Sequence, residues 1–138
     1  MSPKEECEVL LDALLPAVER LLKKNGEFYP VGAVLTGDAN VSFTAVDSGN
    51  EHPETKMLIN DLIASHRQMA EQDAVKASGI AWNASILTPE GKRSDAIIVS
   101  LEHKENYSVI VGRPYKLGLF KKVKFGELFA QSGQHEIF

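Results

Sequence analysis

The chain has 138 residues, 43% of them hydrophobic and 25% charged, a balance that suits one globular domain spanning 1–138 and excludes a disordered, charge-dominated chain. Its formal charge of −4 provides no global attraction to phosphate backbones or anionic lipid, so nucleic acid and membrane surfaces are disfavoured partners. A single cysteine, Cys7, excludes an internal disulfide and a cysteine-based zinc site.

The first residues read as a helix start. Ser2 suits the cap, Pro3 the first helical position, and Glu5 stands where it closes a capping box. Leu11, Leu14, Leu15, Val18 and Leu22 then recur at helical spacing, Lys23 and Lys24 complement the dipole, and Asn25-Gly26 is a left-handed stop. Pro16 removes one backbone donor inside this pattern, so a kink is expected between Asp12 and Pro16. Cys7 lies among Glu5, Glu6 and Glu8, whose charges oppose a thiolate. The polar, acidic opening is also unlike a secretory signal, and the expected compartment is the cytoplasm.

From Phe28 the pattern turns extended. Val31 to Thr36 and Val41 to Val46, joined by Gly37-Asp38-Ala39-Asn40, predict a hairpin. After the loop at Asp47-Ser48-Gly49-Asn50, His52-Pro53-Glu54 predicts a second helix start. Leu58, Leu62, His66, Met69 and Ala70 share its apolar face, with a stop expected at Ser78-Gly79. Strands follow from Ile80 to Leu87, Ala96 to Glu102 and Tyr107 to Val111, with a weaker one at Val123 to Phe125.

The order α-β-β-α-β-β-β, with one further strand, predicts an α+β fold: an antiparallel sheet of five or six strands covered by two helices. Leu14, Val18, Leu58, Leu62, Trp82, Ile97 and Val99 are expected in one core.

Four phrases then stand out in order: Gly26-Glu27-Phe28-Tyr29-Pro30, Ser94-Asp95-Ala96-Ile97, Leu101-Glu102-His103 and Pro114-Tyr115. Together, from Gly26 to Tyr115, they resemble a group of small bacterial α+β proteins of unknown function. The resemblance implies a bacterial, cytosolic protein of this architecture and carries no catalytic residue with it.

Neither a phosphate-binding glycine loop nor a nucleophile elbow is present, and no cofactor is expected. Asp95, Glu102 and His103 are the best metal candidates by type. Strand alternation puts Glu102 on the opposite face from the other two, and Asp95 and His103 are roughly 27 Å apart along a strand, so no metal site is expected. His66 on an apolar stripe reads as a packed histidine. Arg113, Lys116, Lys121, Lys122 and Lys124 alternate with Tyr115, Phe120 and Phe125. That mixture suits single-stranded nucleic acid, or a strand edge guarded by lysine.

These absences favour a non-enzymatic protein-binding domain, such as an adaptor, a chaperone or an immunity-type protein. An expected homodimer pairs the uncharged edge near Val31 to Val46. One alternative is a small-molecule-binding protein or enzyme with a pocket between sheet and helices near His66, Trp82 and Tyr115. Another is nucleic-acid binding through residues 113–124.

Overall fold

A computed structural model describes residues 1–45, 49 and 53–138, with Lys121 described by its backbone alone. Helix α1 spans Pro3–Asn25. Its start is the expected capping box: the Glu5 N–H donates to Ser2 Oγ at 3.1 Å and the Ser2 N–H to Glu5 Oε1 at 3.2 Å. Gly26, at φ +76°, takes the left-handed stop. The helix runs through Pro16 without interruption.

Strands β1 (Val31–Thr36) and β2 (Val41–Thr44) form the hairpin, and α2 spans Thr55–Glu71. Val46 and His52, which the sequence assigns to strand and helix start, lie outside the described residues. The end of α2 corrects the expected stop at Ser78-Gly79. Asp73 at φ +53° breaks the helix, and strand β3 runs from Val75 to Leu87. Asp tolerates the left-handed region by local hydrogen bonding, so no glycine is needed. Ala77 and Gly79 share the α1 face of the sheet, and neighbouring Ser78 points to the other.

Strands β4 (Arg93–His103) and β5 (Tyr107–Leu117) complete a long meander, followed by β6 (Val123–Phe125) and β7 (Phe129–Ser132). The seven strands form one antiparallel sheet in the order β2-β1-β3-β4-β5-β6, with β7 also on β5. With two helices this is the expected α+β class, with one more strand than anticipated.

The helices lie on opposite faces. Leu10 and Leu14 of α1 meet Gly79, whereas Leu62 and His66 of α2 meet Gly32. Pleating sends neighbouring residues to opposite faces, so Ala33, Ala77, Ala81, Ile97, Val99 and Leu101 pack with Leu14 and Val18 under α1. Val34 and Ile80 face α2, with its buried Leu58 and Leu62. The single core expected from the sequence is therefore two, divided by the sheet. Periodicity marks a buried face without saying which side of a sheet it covers.

Candidate functional site

Between α2, the central strands and the chain after β7 lies a cavity of about 350 Å3. Its floor is set by register. Ser78, Ile80 and Trp82 of β3 stand opposite Glu102, Ser100 and Ile98 of β4, and Ile110 of β5 stands opposite Ser100. Ile59 and Ile63 of α2 form the roof; Gln131 of β7, Gln134 and Ile137 close the side. Gly112 matters here because a Cβ would collide with the Phe129 ring, so its bare backbone leaves room for that ring on β7, the strand paired beside β5.

Glu102 is only 3% exposed, and its carboxylate holds the closing segment. The Glu136 N–H donates to Oε1 at 3.0 Å and Oε2 at 3.1 Å, and the Ile137 N–H donates at 3.1 and 3.2 Å. A buried carboxylate must be matched by donors, and these amides supply them. His135 Nδ1 lies 3.5 Å from Oε1, and Arg67 Nε donates to the Glu136 carbonyl from α2. The segment is thus fastened to both sheet and helix, which buries Ile137.

On the same face of the sheet as the cavity, His66 of α2 is fully buried and satisfied on both sides. Nδ1 is 2.6 Å from Ser78 Oγ, and Nε2 is 2.8 Å from Thr44 Oγ1. Gly32 makes room, since a Cβ there would overlap Thr44 Oγ1. Burial pushes the imidazole down from 6.5 to about 4, so the ring is neutral at neutral pH: one nitrogen donates and the other accepts. Ser78 lines the cavity, but a base this weak, held between two hydroxyls, is a fixed strut more than a proton carrier.

Of the three residues expected to share a pocket, Trp82 lines the cavity and His66 supports it through Ser78. Tyr115 lies on the opposite face, 4% exposed in the α1 core, with Asn83 Nδ2 3.5 Å from its hydroxyl. The sheet separates it from the other two. Sequence reasoning missed Ser78, Ser100 and the role of Glu102. The available signal was their spacing, since polar residues two apart in an apolar strand point to one covered face.

The metal candidates are likewise dispersed. Asp95 is exposed, and Glu102 faces α2. His103 is buried on the α1 side, its Nε2 3.0 Å from Glu6 Oε1 while Nδ1 accepts the Glu105 N–H. Lys76 Nζ meets the other Glu6 oxygen at 2.6 Å. That bond, and then His103, hold the Glu6 carboxyl below its usual range against the opposing effect of burial. Cys7 beside Glu6 is buried; burial, aided by Glu6 and Glu102, pushes its thiol up to about 12. Among the described residues no group of three His, Cys, Asp or Glu side chains is arranged to hold a metal ion.

The basic cluster is also divided. Arg113 pairs with Glu19 at 3.1 Å, and both Arg113 and Lys23 lie over the Phe125 ring. With Tyr115 buried and Phe125 covered, Phe120 is the fully exposed aromatic of this stretch. Among the described residues no helix is long and apolar enough to cross a membrane.

No family model, curated protein or solved structure matches the chain.

Proposed function

We propose that the protein binds a small organic ligand in the cavity between α2 and the sheet. The observation that carries this reading is the convergence of Trp82, Ser78, Ser100 and Gln131 on one space of about 350 Å3, the size and mixed lining of small-molecule sites. Ile59, Ile63, Ile80 and Ile110 would take an apolar body, and the hydroxyls and amides would orient it. Among the described residues the wall contains the carboxylates of Glu102 and Glu136 and no cation, so the favoured ligand is neutral or cationic. A thermal-shift screen of small neutral, cationic and anionic aromatic compounds tests the reading. Concentration-dependent stabilisation by the first two classes is expected; stabilisation by none, or by anions alone, contradicts it.

The protein-binding reading keeps one observation in its favour. β2 is the outer strand of the sheet, it carries no charge, and Phe43 on it is about half exposed at 53%. An unguarded edge pairs readily with another strand. Two copies joined there by a two-fold axis would extend the sheet. Sedimentation at micromolar concentration should then give twice the chain mass of 15.2 kDa, and Phe43→Lys should return the monomer. A wild-type monomer contradicts this second reading.

A further inference from the structure

The end of the β5–β6 hairpin is unlike the rest of the surface. Tyr115 pairs with Phe125, Lys116 with Lys124, and Leu117 with Val123. A turn closed by the Gly118 N–H on the Lys122 carbonyl at 2.7 Å then carries Leu119 and Phe120 at its apex. These two side chains are 83% and 94% exposed. Phe120 also sits at φ 59°, ψ 34°, a left-handed conformation that is costly for a bulky residue. Packing does not compensate that cost, because the ring touches solvent almost everywhere.

The charges behind the apex are mostly positive. Lys116 and Lys124 stand directly opposite each other, an arrangement of like charges that destabilises a ladder. Among the described residues neither has an ion-pair partner, nor do Lys122, Lys92 and Arg93 at the same end of the sheet. Glu5, Glu6, Glu8 and Asp12 crowd the start of α1, which lies by His103 and Lys76 at the other end of the strands. The acidic total therefore conceals an apolar-tipped end of the sheet at which Lys92, Arg93, Lys116, Lys122 and Lys124 outnumber Glu90, Asp95 and Glu127.

We propose that this hairpin end is a docking surface for anionic lipid, with Leu119 and Phe120 entering the headgroup–acyl boundary and the lysines meeting phosphate. The layering decides the partner. The Lys116–Lys124 rung lies two rungs behind the turn, roughly 7 Å at strand rise, and an interfacial apolar anchor enters a bilayer by about 5–10 Å. Apex in hydrocarbon and cations at the phosphates thus fit one geometry without any complementary groove. Single-stranded nucleic acid fits less well, because its stacking platform needs several exposed aromatics and Tyr115 and Phe125 are engaged. A second copy fits less well too, because a two-fold contact would set these lysines against themselves.

The test is co-sedimentation of the full chain with vesicles of phosphatidylcholine alone and with phosphatidylglycerol added, at low and high salt. Binding to the anionic vesicles and its loss at high salt are expected. Phe120→Ser should weaken binding about tenfold or more, and each of Lys116→Gln and Lys124→Gln by about fivefold. All three sites are exposed, so a melting temperature no lower than that of the wild type confirms that the variants fold. The proposal is overturned by absence of anionic-vesicle binding, by equal binding of Phe120→Ser, by tip-dependent binding of single-stranded DNA in place of vesicles, or by a tip-dependent dimer. Leu119 and Phe120 lie outside the α2 cavity, so ligand binding there stands or falls separately.

Discussion

Glu102 and Ile137, 35 residues apart in the chain, are joined by two hydrogen bonds from one amide to both oxygens of a buried carboxylate. Replacing Glu102 with Gln keeps the volume but turns one acceptor into a donor aimed at those amides. The variant should lose about 1.5–3 kcal/mol, the range for hydrogen bonds to a charged group, and the Glu136 and Ile137 amides should exchange with solvent much faster. Denaturant titration and amide hydrogen exchange check both effects. Unchanged exchange at 136 and 137 would show that the carboxylate does not hold this segment.

His66 makes stability depend on pH. Its imidazole is near 6.5 when exposed and about 4 when buried, so between these values the unfolded chain binds a proton that the folded one does not. Stability contributed by the neutral ring is complete above pH 6.5, falls as pH drops towards 4, and levels off below it. The loss across this window is of order 3 kcal/mol. His66→Gln should flatten this part of the profile; an equally steep slope in the variant would assign it to other groups. The carboxyl groups held low, Glu5, Glu6 and Asp38, lose their contribution only as pH falls through the more acidic range.

The two cores give a third expectation. Leu14→Ala under α1 and Leu62→Ala under α2 should each cost about 2–5 kcal/mol, since both side chains are buried. Because the sheet separates them, the double variant should be additive within about 0.5 kcal/mol. Equilibrium denaturation of the two single variants and the double variant checks this, and strong coupling would argue against a dividing sheet.

Local signals carried the fold far. The box at Ser2 and Glu5, the stop at Gly26 and the alternation in β3 to β5 each act over a few residues, and each appears where the sequence indicates it. The end of α2 was not legible, because Asp73 in a left-handed conformation has no distinctive spelling. Nor was the opposite placement of the helices, which depends on Gly32 and Gly79 admitting different partners on opposite faces. The site was legible only at Trp82 and His66. Glu102 reads as a polar strand end until the segment at 136–138 returns to cover it, and a contact at that separation leaves no mark in local pattern. Tyr115 does not share this cavity for a simpler reason: relative to Trp82, it is on the other face of the pleat.

The cavity itself is tested most directly through Trp82, the only tryptophan in the chain and part of its wall. A neutral or cationic aromatic compound that stabilises the protein should change Trp82 emission saturably in wild type. In Ser100→Phe, which fills the floor between Ile80 and Ile110, the same titration should give no saturable change while the fold persists by circular dichroism. Saturable binding of undiminished affinity in folded Ser100→Phe would place the ligand elsewhere and contradict the account.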